Sequence, residues 1–153
     1  MTFSGTSENS ATNLQQPDTS VDEDVFEGTG TLGSFTLRNL RAILNFPVPS
    51  NTCSGPNDEP SGAGVFRFQD GSLLYVQLKR GDDCIDFTAL VAHCTLIFQI
   101  NGGTGRFSTA QGTLKLTETA GPPVLFDALG NPVYFGATGQ ITGTVWGVSG
   151  GQN

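Results

Sequence analysis

The sequence predicts an all-β domain, built as a closed antiparallel barrel of about eight strands, with a two-sheet β-sandwich as the alternative. Apolar and polar residues alternate at period two along much of the chain, which is the pattern of strands with one buried face. Glycine is abundant, at 21 of 153 residues, and only 14% of the residues are charged. Glycines within the last apolar stretch, 133–146, indicate a sheet that curls, and closure into a barrel removes exposed edges.

The composition predicts three parts of the chain. Residues 1–24 are mostly polar and acidic without periodicity, so we expect a flexible arm. Residues 25–147 form the predicted barrel domain, and 148–153 a flexible tail.

The sequence pattern of residues 25–147 predicts the strands of the barrel one after another. Alternating apolar residues place a strand at 34–46, bent near Asn39, and the Pro/Asn/Gly-rich stretch 47–61 reads as a loop. Asp70-Gly71 between two alternating runs predicts a type I′ hairpin. Residues 84–100 favour one long strand or two strands meeting at a bulge near Leu90, with a helix as the alternative. Further strands are expected at 113–119, 123–126 and 133–146.

The three cysteines predict one disulfide and one free thiol. Cys53 and Cys84 lie in polar segments that are predicted to be loops, whereas Cys94 lies within an apolar run. We therefore expect Cys53 to pair with Cys84, the alternative being three reduced, buried cysteines.

The formal charge of −7 argues against nucleic acids and anionic membranes as partners, because both are bound through clusters of Lys and Arg. No apolar run is long enough to span a membrane, and the first residues lack the pattern of a signal peptide. The Thr/Gly/Ser-rich, Lys-poor composition favours a secreted, periplasmic or cell-surface protein whose signal peptide is missing from this sequence.

A glycine-rich turn, NGGTGRFSTAQG, precedes the strand at 113–119. It is not a phosphate-binding loop, because no helix is expected after it. We expect a structural role, in which Phe107 plugs one end of the core and the glycines allow chain reversal and close approach. These glycines are Gly102, Gly103, Gly105 and Gly112.

This turn resembles that of the dirigent and allene oxide cyclase-like barrels, and it looks even more like a group of uncharacterised bacterial exported proteins. FEGTGTLGSFTL and FRFQDGSLLYVQL also look like earlier strands of that group, so the resemblance covers about residues 25–146. It implies an eight-stranded barrel and, by similarity to the cyclases, a cofactor-free isomerase or cyclase.

Few residues are candidates for chemistry. Glu118 shares a strand face with Leu114 and Leu116, which would aim its carboxyl at the mouth of the barrel, where burial could raise its pKa as a general acid requires. The alternative is a solvated glutamate at the end of a strand. The lone His93 is expected to be partly buried and structural. Polar groups that could line an apolar cavity belong to Arg67, Tyr75, Arg106 and Tyr134.

Two acidic clusters do not match the spacing of a calcium loop, so we expect solvated charge there and no metal site. They are Asp22, Glu23 and Asp24, and Asp82, Asp83 and Asp86. No cofactor motif occurs in the sequence either.

Three functions remain open. The first is a barrel that binds a small hydrophobic molecule. The second is a structural or adhesive subunit that forms homo-oligomers by exchanging its arm or a strand. The third is the cofactor-free cyclase or isomerase, so whether the protein is an enzyme stays undecided.

Overall fold

The computed structural model describes residues 1–10, 18–44, 53 and 55–150, and these form nine β-strands and one 3₁₀ turn. In chain order the strands are β1 (Thr2–Ser10), β2 (Thr19–Thr29), β3 (Phe35–Leu44), β4 (Pro56–Glu59), β5 (Ser61–Phe68), β6 (Leu73–Asp86), β7 (Val91–Gly103), β8 (Gln111–Phe126) and β9 (Pro132–Trp146). The 3₁₀ turn, Gly105–Phe107, lies between β7 and β8.

The strands form a closed antiparallel barrel, which confirms the predicted fold class. The sheet runs in the order β4-β6-β5-β3-β2-β1-β9-β8-β7, and pairing of β6 with β7 closes it. Eight strands make the wall. The ninth, β4, pairs with the distal half of β6, at Gly81–Cys84, beyond the part of β6 that pairs with β5.

The predicted N-terminal arm is wrong for residues 2–10 and 19–24, which are wall strands. β1 pairs with β2 on one side and with β9 on the other, so it joins the N-terminal strands of the wall to the C-terminal ones. The backbone hydrogen bonds of a closed sheet stabilise β1 although its sequence, TFSGTSENS, has almost no apolar alternation. Residues 11–17 lie outside the described part of the chain, as do residues 151–153 of the predicted tail.

Three local predictions also need correction. Residues 84–100 form two strands that meet near Leu90, which was one of the predicted alternatives, but the junction is a turn at residues 87–90 and not a bulge: β6 ends at Asp86 and β7 begins at Val91, with Leu90 at φ +54°. The described part of the expected loop 47–61 contains β4 and the start of β5. At the Asp70-Gly71 turn only Gly71 has a positive φ, +80°, so the turn is not type I′.

One end of the barrel, the closed end, is filled by aromatic and aliphatic side chains. Phe107 from the 3₁₀ turn is fully buried there, with its ring centroid 4.7 Å from that of Phe68. Gly103 passes so close to the backbone of Leu73 that a Cβ would lie 1.9 Å from the Leu73 carbonyl oxygen. The same core contains Phe3, Phe26, Phe35, Leu37, Phe66, Leu74, Phe98, Leu114 and Ile141.

Candidate functional site

A layer of charged side chains crosses the interior of the barrel above this apolar core. Arg41 reaches the layer because it shares the inward face of β3 with Leu37 and Phe35, four and six residues earlier. Its side chain is only 1% exposed. The carboxyl groups of five residues from four strands surround it: Asp22 and Asp24 of β2, Glu59 of β4, Asp83 of β6 and Glu118 of β8.

Two of these carboxyl groups hold the guanidinium by hydrogen bonds. Arg41 Nε donates to Asp24 Oδ2 at 2.9 Å and Nη2 donates to Asp24 Oδ1 at 3.2 Å, which is a bidentate pair. Arg41 Nη1 donates to Glu59 Oε1. Asp83 and Glu118 lie farther away, at 3.7 Å from Nη1 and 3.6 Å from Nη2, as ion pairs without a hydrogen bond.

One guanidinium cannot neutralise five buried carboxylates, so the charges are redistributed by protonation. Burial raises the pKa of Glu118 to about 8, against the lowering effect of Arg41 and with further raising by nearby aspartates. Burial also raises the pKa of Glu59 well above its ordinary value, again opposed by Arg41 and reinforced by Asp83. Glu118 therefore holds a proton at neutral pH, and the pKa of Glu59 is shifted in the same direction.

Several oxygens of the layer are buried without a hydrogen-bond partner among the described residues. They are Oδ1 of Asn39, Oε2 of Glu59, Oδ1 of Asp83 and both carboxyl oxygens of Glu118. Burial of an unsatisfied polar atom costs about 1–3 kcal/mol, so hydrogen-bond donors brought to these oxygens would stabilise the layer.

A cavity of about 330 Å³ lies against this layer at the other end of the barrel, which we call the open end. Its floor includes Asp22, Arg41, Asp83 and Cys94. The rest of its lining is mainly apolar, with Ser7, Ser20 and Asn57 as polar members, and includes Ile43, Leu44, Ile85, Val91, Ala92, Ala120, Pro123 and Phe135. An apolar wall with a few polar groups at one side is typical of sites for small molecules, and the volume falls within their usual range of about 300–1,000 Å³.

Exposed apolar side chains surround the mouth of this cavity, and we call them the apolar rim. Phe87 and Leu90, from the turn between β6 and β7, line the mouth and are 65% and 41% exposed. The end of β8, just after the cavity-lining Pro123, carries exposed Val124, Leu125 and Phe126 and pairs with the beginning of β9. Exposed apolar groups gathered at one place indicate a contact surface or an entry for an apolar ligand.

The disulfide between Cys53 and Cys84 is confirmed, and it fastens the strand that supplies Glu59. Cys84 lies on β6 directly opposite Pro56 of β4, so the bond joins the chain just before β4 to the strand on which β4 lies. Gly81 of β6 leaves room for Glu59, because a Cβ there would lie 2.6 Å from Glu59 Oε2. Cys94, the free cysteine, is buried, and burial raises the pKa of its thiol, which makes it a poor nucleophile.

The structure brings Glu118 into the charged layer but not to the cavity surface. Its side chain is fully buried, and it is not among the described residues that line the cavity. The predicted position at the mouth of the barrel is therefore wrong, because the side chains of the open end lie above it. The predicted raising of its pKa by burial agrees with the structure.

The four predicted ligand-lining residues do not line the cavity formed by the described residues. Arg67 and Tyr75 are exposed on the outer face of the wall. Arg106 lies at the closed end, where its guanidinium covers the ring of Phe68 and donates to the carbonyl oxygen of Leu32. Tyr134 donates a hydrogen bond from its hydroxyl to Thr6 Oγ1 at 3.3 Å.

The layer was not predicted, although its members were noticed in part. Asp22, Asp24 and Asp83 were expected to be solvated, but all three are buried. Strand parity contained the signal, since Asp22 and Asp24 are in phase with the buried Phe26. His93, expected to be partly buried, is exposed, and its Nδ1 lies 3.2 Å from Thr119 Oγ1.

The described residues contain no group of three or more His, Cys, Asp or Glu side chains arranged to hold a metal ion. In the charged layer the guanidinium of Arg41 takes the place between the carboxyl groups. No helix within the described ranges is long and apolar enough to cross a membrane.

Fold and site together define a class: a closed all-β barrel with a plugged apolar end, a charged interior layer and a cavity at its open end. Comparison with models of protein families, with curated proteins and with solved structures finds no match to this chain. The resemblance to allene oxide cyclase-like barrels thus stays a prediction from the glycine-rich turn.

Proposed function

We propose that this barrel binds a small, largely apolar molecule in the cavity at its open end. The observation that carries the proposal is the combination of an apolar wall, a polar floor at Asp22, Arg41 and Asp83, and an exposed apolar rim. Burial of apolar ligand surface supplies the affinity, at about 25 cal/mol per Å² removed from water, and the floor orients the polar end of the ligand.

Neither alternative function has comparable support. A cyclase would need its acid at the cavity surface, whereas Glu118 lies beneath the floor. Arm exchange would need a free arm, whereas β1 is paired on both sides within one barrel.

Titration with Nile red, an uncharged apolar dye, tests the proposal. We expect saturable binding with increased fluorescence, and weakening of about tenfold or more in Ala92→Phe, which places a large ring in the cavity. The matched control is Ala63→Phe, because Ala63 is exposed on the outer face of β5. No saturable binding, or equal weakening by both substitutions, would reject the cavity as the site.

The affinity of the Ala92→Phe variant is interpreted only if that variant is folded. Its unfolding transition in urea, compared with that of the original protein, provides this check.

A further inference from the structure

Among the described residues, the charged layer at the floor of the cavity has more carboxyl groups than cations. Five carboxyl groups face one guanidinium, and three of its N–H groups are already committed to Asp24 and Glu59. Asp83 forms part of the cavity floor, and its side chain is only 4% exposed. Its Oδ1 has no hydrogen-bond partner in the described ranges. Asp83 therefore brings to the cavity floor a buried carboxylate that lies 3.7 Å from Arg41 Nη1, too far for a hydrogen bond to that cation.

The floor of the cavity is negatively charged, like the carboxylate of Asp83. Asp22 and Asp83 both line the cavity, and the single cation beside them, Arg41, is shared with Asp24 and Glu59. A ligand that brings hydrogen-bond donors and a positive charge would satisfy both requirements. A carboxylate would meet acceptors and negative charge, and an alcohol would supply one donor without charge.

We propose that the ligand of this cavity is an amphiphilic amine, with its protonated nitrogen at Asp83 and its apolar body against the wall that includes Ala92 and Phe135. This inference rests on the proposed function and names the chemical class of its ligand. The ammonium forms an ion pair with the carboxylate of Asp83, and the exposed apolar rim contacts the remainder of a longer chain.

Binding of a cation also changes the protonation of the layer. The groups that face Glu118 are Arg41 of β3, Asp22 and Asp24 of β2, Asp83 of β6 and Cys94, which is its direct partner on β7. Arg41 lowers the pKa of Glu118 and the three aspartates raise it, so a second cation beside Asp83 lowers it further. An amine that binds near pH 7.5 should therefore displace protons from the layer into the buffer.

Three eight-carbon compounds distinguish the possibilities by isothermal titration calorimetry at pH 7.5: octylamine, octanol and octanoate. We expect octylamine to bind about tenfold or more tightly than octanol, and octanoate to bind most weakly. The octylamine heat should vary with the ionisation enthalpy of the buffer in the direction of proton release. Binding of octanol or octanoate as tightly as octylamine overturns the inference.

The dye separates failure of this inference from failure of the proposed function. Saturable Nile red binding without octylamine binding overturns the amine and leaves the apolar cavity as a binding site. Absence of saturable binding for Nile red and all three compounds overturns both.

A pair of neighbouring substitutions locates the nitrogen. Asp83→Asn should remove most of the preference for octylamine over octanol, while octanol affinity changes less than about threefold. The control Asp82→Asn, at an adjacent residue that pairs with the exposed Arg80, should leave the preference intact. If Asp83→Asn fails to fold, the proton release on octylamine binding to the original protein decides the question. An unchanged preference in folded Asp83→Asn, or an absence of proton release, contradicts the assignment.

Discussion

Arg41 and Asp24 form a two-point ion pair inside the barrel, with Nε 2.9 Å from Oδ2 and Nη2 3.2 Å from Oδ1. The carboxylate side chain is fully buried and the guanidinium nearly so. Burial by itself lowers the pKa of Arg41, but Asp24, Glu59 and Glu118 outweigh it and raise that pKa above its ordinary value. The arginine is thus a permanent cation on which the charged layer depends.

Replacement of Arg41 by methionine should destabilise the protein by about 3–5 kcal/mol, because it leaves buried carboxylates without their counter-charge. Urea denaturation measures the free energy of unfolding. The control is Arg38→Met on the same strand, since Arg38 is largely exposed and pairs with Glu23 at the surface, where such pairs contribute about 1 kcal/mol or less. Equal stability of the two variants would show that the layer tolerates loss of its cation.

The stability of the protein should fall as the pH rises from about 5 to 8. Glu118 has a pKa of about 8 in the folded protein and an ordinary value of 4.5, so the folded state binds more protons across this window. Its stabilising contribution is complete below about pH 4.5 and is lost as the pH rises through 8, at up to about 1.4 kcal/mol per pH unit. Glu59, whose pKa is also raised, acts in the same direction.

Glu118→Gln should flatten this pH dependence, because glutamine does not titrate. The comparison is thermal unfolding between pH 5 and 9, with Glu27→Gln as a control at an exposed position of β2. A stability that rises between pH 5 and 8 in the original protein would contradict the protonated state of the layer.

Reduction of the Cys53–Cys84 disulfide should destabilise the protein by about 2–4 kcal/mol. The bond spans 31 residues, and release of a loop of that length increases the entropy of the unfolded chain. Denaturation with and without reductant measures the effect, and Cys94→Ala provides a control in which the disulfide is intact. Because the bond also fastens β4, we expect faster amide exchange at Glu59 after reduction, and unchanged exchange there would argue against that role.

Truncation of Phe107 to alanine should cost about 3–5 kcal/mol, because the ring is fully buried at the closed end of the barrel. The matched control is Phe126→Ala in the apolar rim, which should change stability by less than about 0.5 kcal/mol. Urea denaturation compares the two, and a small effect at Phe107 would show that the 3₁₀ turn does not plug the core.

Period-two alternation was enough to predict the barrel, because the strands that carry the apolar core also carry the pattern. The same rule misplaced its beginning at Val25, since the inward residues of β2 before Phe26 are the charged Asp22 and Asp24. The alternation of apolar and polar residues is lost where the inward-facing residues of a strand are themselves polar. β1 was missed for a related reason: its position is fixed by hydrogen bonds to β2 and β9.

The site depends on contacts that are distant in the chain, and this limits its prediction from sequence. Glu59 enters the barrel from a four-residue strand that pairs with β6 only beyond the irregularity between Leu78 and Arg80. Glu118 could be predicted to point inward from its phase with Leu116. The other charged residues around Glu118 could not be predicted, because the spatial distances between their strands depend on closure of the sheet.

Nuclear magnetic resonance of alanine methyl groups can show whether the cavity at the open end is the binding site. During a titration with Nile red, the methyl signals of Ala92 and Ala120, which line the cavity, should shift and saturate together. Those of Ala110, buried at the closed end, and Ala63, on the outer face, should stay in place. Saturable shifts at Ala110 or Ala63 without shifts at Ala92 and Ala120 would contradict the account.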